Sequence, residues 1–432
     1  MTWPVLPLGE VAQTALGKML DKGKTKGHAH VPYLRNVNVQ WGRIDTHDLL
    51  TMELADVERD RFAVQQGDLL VCEGGEIGRC AIWQGRTEYL GYQKALHRIR
   101  PKDNLDARFL RYLLEHHAQT GALASLATGS TIAHLPQQQL RRVPVPLPPL
   151  DEQRRIVDLL EDHLSRLGAA CAELGRLDQR ARLLVQSSLA AGLRGELVGD
   201  DLSEGVGHDL LRDAGHLTAV PNDRTWATPE TWAWTRLGEL FEVNIGATPS
   251  RSDASHWNGD LPWISSGEVA FGHISNTRER ITRAAAGNPA TRIHPPGTVM
   301  VAMIGEGKTR GQAALLDIEA AHNQNCASIR VSATEVLPEF VFGYFEERYL
   351  ETRRGGAGGQ QPALNKAAIR KFAIPIPPLG TQRRLVAAWA EAKGVAARLG
   401  ADLDVARRRS DVLRRSLLAD AFSGQLTCEG DT

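Results

Sequence analysis

The length, charge and cysteine content of the chain set the first limits on its function. At 432 residues, of which 42% are hydrophobic, it is too long for one ordinary core and predicts at least two domains. Fifty-one basic residues balance 51 acidic ones, so net charge excludes neither a nucleic-acid partner nor a protein partner. Five cysteines without a CxxC pair favour a reducing cytoplasm. No apolar run approaches the ~20 residues that span a bilayer, and no signal pattern opens the chain, so we expect a soluble, unprocessed protein without a membrane partner.

The first predicted module, residues 1–148, mixes α and β structure. Short β-like runs alternate with Gly and Pro; residues 62–72 predict the approach to a strand and residues 108–116 a short helix. The run PVPLPP, residues 144–149, then ends the module, because proline neither continues a helix nor donates to a strand ladder. The pattern is that of an α+β domain with an extended stop.

Beyond the proline stop, residues 149–198 predict a long helix. Apolar residues recur at spacings of three and four from Val157 to Val185, with Asp178 as the single polar member. This is the heptad pattern of a coiled-coil seam. About forty such residues make a rod of roughly 60 Å at ~1.5 Å per residue. One small domain cannot bury a rod of that length, so we expect it to pack on a second rod.

Residues 199–225 predict an acidic flexible linker. The stretch is short of large hydrophobic residues and carries Gly205, Gly207, Gly215 and Pro221, a composition typical of mobile connections. It separates two halves of the chain that match each other.

The second half repeats the first, which predicts an internal duplication. Trp3 recurs as Trp232, a displacement of 229, and Pro32 recurs as Pro262, a displacement of 230. The longest match joins VPLPPLDEQRRIV, from residue 145, to IPIPPLGTQRRLV, from residue 374. Anchors at the start, middle and end of each half agree in order and spacing, so chance similarity is a poor explanation.

The duplication carries the predictions into the second half. Residues 226–378 predict a second α+β module, with a strand approach at 294–303 and a short helix at 338–349. Residues 379–427 predict a second long helix. Its apolar seam runs through Trp389, Ala392, Ala396, Leu399, Leu403, Ala406, Leu413 and Leu417, with Ser410 as the polar member.

Two such modules, each closed by a PLPPLxEQRRI-type block and a long helix, resemble the specificity subunit of type I restriction-modification enzymes. The resemblance covers nearly the whole chain, and its most specific element is the duplicated block at residues 147–156 and 376–385. It implies that each module is a target recognition domain that reads one half of an asymmetric, bipartite DNA site. It also implies that the two helices are conserved spacers that pair as an antiparallel coiled coil and set the distance between the half-sites.

The same resemblance implies partners for the chain. Double-stranded DNA is the ligand, two methyltransferase subunits dock on the helices, and restriction or translocase subunits join outside them. S-adenosylmethionine is then expected in the methyltransferase subunits, and the chain itself is expected to hold no cofactor or metal and to catalyse no reaction. The second block has Gly380-Thr381 where the first has Asp151-Glu152, which predicts a less well capped second helix.

Loops that differ between the modules while the framework agrees are the expected places of DNA readout. The first loop pair, residues 18–30 and 247–257, suits phosphate oxygens, although an ordinary solvated loop has the same composition. Its candidates are Lys22, Lys24, Lys26, Thr248, Ser250 and Arg251. The second place follows the shared Pro-aromatic strand, where polar side chains suit base edges or simply form turns. Its candidates are Arg35, Asn36 and Ser265.

Three further places complete the predicted interface. The glycine-rich turns GGEIGRC, from residue 74, and GEGKTRG, from residue 305, bring backbone and basic side chains toward phosphate; their candidates are Arg79, Lys308, Thr309 and Arg310. Residues 128–135 and 358–365 read bases or, equally, cap a helix; the candidates there are Ser130, Thr131, His134, Gln360, Gln361, Asn365 and Lys366. Amide donors suited to adenine recur where the halves align, at Gln93, Lys94, Gln324 and Asn325.

Two rival functions stay open on sequence grounds. A protein-binding scaffold with duplicated domains agrees with the neutral net charge, and it would lack the steep salt dependence of DNA binding. A nucleotide-binding enzyme is suggested by AMIGEGKT, residues 302–309, which approaches the phosphate-loop pattern. In that stretch Ala302 replaces the first glycine, and no helix is indicated behind it.

Overall fold

The computed structural model describes residues 3–20, 27–85, 89–128, 133–215, 221, 226–287, 291–305, 307–354 and 364–427. The chain forms two compact units, one of residues 1–175 with 403–432 and one of residues 176–402. Each unit contains one α+β module together with part of each long helix.

The first unit contains the first module and the beginning of the first long helix. Its strands are β1 (Val5–Pro7), β2 (Ala12–Leu16), β3 (Ala29–Leu34), β4 (Val39–Gln40), β5 (Arg43–Ile44), β6 (Leu50–Leu54), β7 (Leu69–Cys72), β8 (Cys80–Ile82), β9 (Gly91–Tyr92), β10 (Leu96–Pro101) and β11 (Pro144–Pro146). The helices are α1 (Leu8–Val11), α2 (Arg59–Phe62), α3 (Ala107–Gln119), α4 (Ala122–Ser125), α5 (Gln137–Leu140) and the long helix α6 (Leu150–Arg194).

The second unit contains the second module and the beginning of the second long helix. Its strands are β12 (Ala233–Arg236), β13 (Glu242–Ile245), β14 (Trp257–Ile264), β15 (His273–Ile274), β16 (Glu279–Ile281), β17 (Thr298–Ala302), β18 (Ala313–Leu316), β19 (Ala321–His322), β20 (Cys326–Arg330) and β21 (Ala373–Ile376). The helices are α7 (Gly207–Asp213), α8 (Leu237–Leu240), α9 (Pro338–Glu347), α10 (Tyr349–Arg354), α11 (Lys366–Lys371) and the long helix α12 (Leu379–Ser423).

The two modules share one sheet topology, as a duplication requires. In the first, β2-β10-β7-β8 form one sheet and β6-β3-β9 another, with β3 and β9 parallel. In the second, β13-β20-β17-β18-β15 and β16-β14-β19 repeat the pattern, with β14 and β19 parallel. The first and last strands of each module form a two-stranded ribbon, β1 with β11 and β12 with β21. The predicted fold of two tandem mixed modules, each followed by a long helix, is confirmed.

Each module buries the apolar face of one short helix against its larger sheet. In α3 the helix starts at Asp106, whose side chain accepts hydrogen bonds from the backbone N–H groups of Arg108 and Phe109, a standard N-cap arrangement. The buried face of α3, which includes Phe109 and Leu113, lies in the same core as Leu69 of β7. In the second module α9 buries its own phenylalanines in the corresponding core.

A buried glutamine fastens each module to the long helix that follows it. Gln153 is fully buried; its Oε1 accepts from the Asp106 N–H at 2.8 Å, and its Nε2 donates to the carbonyls of Asn104 and Pro148, each at 2.9 Å. Gln382 repeats two of these bonds in the second unit: its Oε1 accepts from the Leu337 N–H and its Nε2 donates to the Pro377 carbonyl, each at 2.9 Å. The glutamine of the duplicated block therefore satisfies backbone groups where module and helix meet, which gives the strongest sequence match a structural reason.

The long helices pair antiparallel within the units, as predicted. In the first unit Leu160 of α6 shares a core with Leu418 of α12, and further along α6 the Cys171 Sγ lies 3.0 Å from the Ser410 Oγ. Residue numbers thus rise along one helix as they fall along the other. In the second unit the Trp389 indole of α12 donates to a backbone carbonyl of α6 at 3.0 Å. The heptad seam predicted for α6 is the side that faces the partner helix.

One predicted seam position on α12 is wrong. Leu413 is 50% exposed, and Arg414 turns inward instead, donating to the Glu115 carboxylate of α3 at 2.6 and 2.9 Å. Glu115 is only 3% exposed, and a buried carboxylate requires a cationic or hydrogen-bonding partner. Charge pairing therefore overrides the apolar periodicity here. In the second module Glu346, at the corresponding place in α9, pairs with Lys393 of α12.

Part of the segment predicted as a flexible linker is folded. Residues 199–215 include α7, whose Leu211 is 4% exposed and belongs to the core of the second unit. The Gly207 N–H donates to the Thr231 carbonyl at 2.7 Å. The glycine and acidic residues of this stretch accompany a short helix whose apolar side is buried, so the linker prediction does not hold for residues 199–215.

Candidate nucleic-acid interface

The glycine-rich turn after β7 brings three of the predicted places of the first module together. The Asn36 Nδ2 donates to the Gly74 carbonyl at 2.8 Å, and the Arg79 guanidinium donates to the Asn36 side-chain oxygen at 3.0 Å. On the other side, His134 forms an isolated β-bridge with Gly74. A Cβ at Gly74 would lie 2.8 Å from the His134 Nδ1, so a larger residue there would displace the imidazole ring.

The predicted residues after β9, Gln93 and Lys94, form a corner of the first module that adjoins the same turn; we call this the amide corner, and its counterpart in the second module follows β19. The Glu73 N–H donates to the Ala95 carbonyl at 3.0 Å, and the Lys94 N–H donates to the Lys18 carbonyl at 2.9 Å. Gly17, which recurs as Gly246 in the second half, makes this close contact possible, since a Cβ there would lie 2.2 Å from the Gln93 carbonyl oxygen. The described end of the first loop, the amide corner and the glycine-rich turn therefore form one continuous surface.

The predicted arginines of this surface are held by acidic neighbours. The Arg35 guanidinium donates to Asp48 at 2.6 Å, and Arg79 pairs with Glu76 at 3.3 Å. Their side chains are 21% and 17% exposed. Both arginines therefore order the loops that carry them. Lys94, in contrast, is exposed, so it is the better candidate for a direct phosphate contact.

The second module places its first loop beside its own amide corner. The Thr248 hydroxyl donates to the Gln324 side-chain oxygen at 2.6 Å, and a Cβ at Gly246 would lie 1.9 Å from the His322 carbonyl oxygen. The glycine-rich turn joins the same surface, because the Met303 N–H donates to the Asn325 carbonyl at 2.9 Å. The convergence seen in the first module is thus repeated.

The sequence alignment of the amide corners is wrong by one residue. The Gln93 N–H donates to the Leu34 carbonyl after β3, and the Asn323 N–H donates to the Ile264 carbonyl after β14, each at 3.0 Å. Gln93 therefore corresponds to Asn323, and Lys94 corresponds to Gln324. Asn323 is 7% exposed and accepts a backbone N–H. The amide common to both modules thus has a structural role in the second, and the exposed pair Lys94 and Gln324 is left for DNA.

Other candidates of the second module serve local structure. Arg251 donates to the Glu279 carboxylate and stacks on the Trp257 ring, 3.8 Å from its centroid, and its hydrogen bond lowers the pKa of Glu279. Asn365 caps α11 by accepting the Ala368 N–H at 2.9 Å, and Lys366 is the first residue of that helix. The Ser265 hydroxyl donates to a nearby glutamate, and the Ser250 hydroxyl lies 2.8 Å from that of another serine. These contacts favour the local interpretations left open by the sequence.

The loop that approaches a phosphate-loop sequence has a different structure. Residues 307–311 form turns, and a strand, β18, follows them at Ala313. In this loop the Lys308 carbonyl accepts from the Tyr349 hydroxyl at 2.5 Å, with Thr309 and Arg310 beside it in the turn. A phosphate loop requires a helix start behind its glycines, and the described residues that follow form none.

Several predicted candidates cannot be placed on this surface. Lys22, Lys24, Lys26, Ser130, Thr131, Gln360 and Gln361 lie outside the described residues. Within the described part, no cluster of three or more histidine, cysteine, aspartate or glutamate side chains could hold a metal ion. The described helices include none that is long and apolar enough to cross a membrane.

Two buried histidines lie behind the amide corner of the second module. The ring centroids of His294 and His322 are 4.9 Å apart, and the Ser328 hydroxyl lies 3.2 Å from the His294 Nε2. Burial lowers the pKa of His294 to about 3 and that of His322 to about 4. Both rings are therefore neutral at pH 7 and support the corner by packing.

Comparison with known proteins agrees with the duplicated architecture. A family model described as type I restriction modification DNA specificity domain matches residues 1–169 and again residues 229–388. The putative type I restriction enzyme MjaX specificity subunit of Methanocaldococcus jannaschii is 22% identical, over 89% of this chain and 85% of that protein. The type I restriction enzyme StySPI specificity subunit of Salmonella potsdam is 20% identical, over 99% of this chain and 90% of that protein.

Solved structures share the fold. A chain from work on complex assembly and conformational transition of the type I R-M system matches with a TM-score of 0.73 at 19% identity, covering 98% of both chains. The HsdS subunit from Thermoanaerobacter tengcongensis matches with a TM-score of 0.56 at 18% identity, covering 98% of this chain and 97% of its own.

Proposed function

The chain belongs to the family of type I restriction modification DNA specificity domains, and on that premise we propose that each of its two modules reads one half of an asymmetric, bipartite DNA site. The chain is the DNA sequence-specificity subunit of a type I restriction-modification system. The observation that carries the proposal is the convergence, in both modules, of the first loop, the amide corner and the glycine-rich turn on one surface. The framework of that surface is shared, whereas its exposed residues, Lys94 and Gln324, differ.

The long helices supply the second part of the proposal. Each contains 45 residues, which corresponds to a length of roughly 68 Å at ~1.5 Å per residue, and one turn of DNA is about 34 Å long. We infer that the helices set the number of unread base pairs between the half-sites. They also dock two methyltransferase subunits, which bind S-adenosylmethionine and carry out the chemistry, and restriction subunits join that complex. The chain itself then contributes recognition without catalysis.

Methylation of host DNA tests the proposal directly. The chain is co-expressed with the methyltransferase subunit of its own system, and modified adenines are mapped by single-molecule sequencing. The expected result is a split, asymmetric motif. A palindromic or uninterrupted motif would contradict bipartite reading. A stable complex without any new methylation would favour the protein-binding scaffold.

Single substitutions then assign the half-sites. Lys94→Ala should weaken DNA binding and reduce the salt dependence by about one counterion, and Gln324→Ala should relax base preference in the other half of the motif only. Lys102→Ala is the matched control. Lys94 lies in the turn before β10 and Lys102 follows the strand, so the two lysines lie at opposite ends of a strand that is itself roughly 17 Å long at ~3.3 Å per residue. Equal losses for Lys94→Ala and Lys102→Ala would show a diffuse charge effect and refute this assignment.

A further inference from the structure

A strap, residues 200–213, covers the junction between the second module and its long helix. The Gly207 N–H donates to the Thr231 carbonyl at 2.7 Å, and a Cβ at Gly207 would lie 1.9 Å from the Ile376 carbonyl oxygen at the end of β21. The Asp200 carboxylate accepts from the Thr231 hydroxyl at 2.5 Å. The backbone of the strap thus lies directly against the ribbon of β12 and β21.

The strap delivers a carboxylate to the start of α12. The Thr381 hydroxyl donates to the Glu204 Oε2 at 2.8 Å, and the Arg384 guanidinium donates to the other carboxylate oxygen. Arg384 also donates to the Gly199 carbonyl at 2.7 Å. The Glu204 side chain is 20% exposed. Its carboxylate lies against the first turn of α12, where a negative charge is favourable because the backbone N–H groups there have no helical partner.

The neighbouring residue of α12 is small where the carboxylate needs space. A Cβ at Gly380 would lie 2.4 Å from the Glu204 carboxylate carbon, so a side chain at residue 380 and the observed position of Glu204 exclude each other. The first long helix has the opposite arrangement. Asp151 and Glu152 occupy the positions of Gly380 and Thr381 in the duplicated block, and the Asp151 side chain is 99% exposed.

The two-stranded ribbons of the two modules also differ, in how far their first strands are exposed. Val5 of β1 is 58% exposed, whereas Trp234, its counterpart in β12, is 3% exposed. The first helix therefore carries its own acidic residues at its start and leaves its ribbon open, while the second helix receives its acidic group from the strap, which folds beside the covered ribbon. The deviation of the second block from the first, which predicted a poorly capped helix, is matched by Glu204.

We propose that Glu204 is a positioning residue that replaces the missing acidic pair of the second block and clamps the second recognition module onto α12. The strap and the sequence of the second block then form one unit, in which Gly380 is required only while Glu204 is present. The effect on DNA reading rests on the function proposed above, whereas the clamp itself does not.

The clamp is tested by giving the second block the acidic pair of the first, with and without Glu204. Glu204→Ala should open the strap, lower the melting temperature of the second unit and speed tryptic cleavage after Arg212 several-fold. The double substitution Gly380→Asp with Thr381→Glu copies the first block. It should destabilise the protein when Glu204 is present, because the new side chains meet its carboxylate, and should restore stability in the Glu204→Ala background, because the helix regains its own acids.

The double substitution is thus expected to lower stability in one background and raise it in the other, and a change that merely destabilises the fold would lower it in both. Glu230→Ala is the control, since Glu230 is an exposed acid of the same unit that is not adjacent to Arg212 in the chain, and it should leave both readouts unchanged. The clamp is refuted if Glu204→Ala leaves cleavage unchanged, or if the double substitution has the same effect in both backgrounds.

The methylated motif separates the positioning role from stability alone. In the complex with methyltransferase subunits, Glu204→Ala should relax base preference in the half-site read by the second module, and Gly380→Asp with Thr381→Glu should restore it. An open strap with an unchanged motif would refute the positioning role. If the unaltered chain itself yields no split motif, the proposed function fails, and cleavage and melting still decide the clamp.

Discussion

Replacement of Gln153 by alanine tests how the modules are fastened to the long helices. Gln153 is fully buried and makes three hydrogen bonds, all to backbone groups, between 2.8 and 2.9 Å. A buried hydrogen bond contributes about 1 kcal/mol, and a buried group left without a partner costs roughly 1–3 kcal/mol. Gln153→Ala should therefore lower the free energy of unfolding of the first unit by about 3 kcal/mol, a large share of the ~5–15 kcal/mol of a typical domain.

The measurement must report on the first unit alone, because a chain of two units need not unfold in one step. Amide hydrogen exchange of Asp106 does so, since its N–H donates directly to Gln153. Gln153→Glu keeps that acceptor but cannot donate to the two carbonyls, so it should be at least as destabilising. Ser165→Ala, at an exposed position of the same helix within the first unit, is the control and should change stability by less than ~0.5 kcal/mol. A Gln153→Ala effect no larger than that of the control would refute the reasoning.

Two further predictions concern buried ionisable groups. Because the folded state holds the pKa values of His294 and His322 well below the ordinary value, the unfolded chain takes up protons first, and stability of the second unit should fall as pH drops from about 6.5 toward 4, by up to ~1.4 kcal/mol per pH unit for each ring. Urea unfolding at several pH values checks this, and His294→Gln should flatten the profile; identical profiles would contradict it. Arg414→Ala should destabilise the first unit by roughly 1–3 kcal/mol, because it removes a partner of the buried Glu115, whereas exposed Arg415→Ala should not. Thermal unfolding compares the two, and equal shifts would show that the ion pair contributes little.

The sequence predicted the architecture well because its signals were periodic and duplicated. The heptad spacing of α6 marked its less exposed side, on which Val157 and Leu160 are buried and the later positions, such as Leu164, are half-buried, and the repeated block marked both junctions. It failed at Leu413 because the next residue, Arg414, reaches the buried carboxylate of Glu115 on another helix. Hydropathy describes the face of one helix and contains no information on which charge lies opposite.

The candidate interface was predicted in outline only. Loops chosen because they differ between modules do meet on one surface, yet Arg35 and Arg251 are paired with acids. Such pairs join residues distant in sequence, so neither residue type nor spacing reveals them. The correspondence of Gln93 with Asn323 is defined by backbone hydrogen bonds to the residues that end β3 and β14, which the side-chain types do not reveal. The role of Glu204 is not predictable from the sequence for a related reason: its carboxylate fits beside Gly380, which is far away in the chain.

The ribbons have an evolutionary consequence. Val5 pairs with Pro146, and Ala233 pairs with Ile376, so the chain enters and leaves each module side by side. A module is therefore joined to the rest of the chain at two points that lie next to each other. Recombination at both points would replace one recognition module by another without altering the helices. The incoming module must then offer the backbone groups that the glutamine of the duplicated block binds.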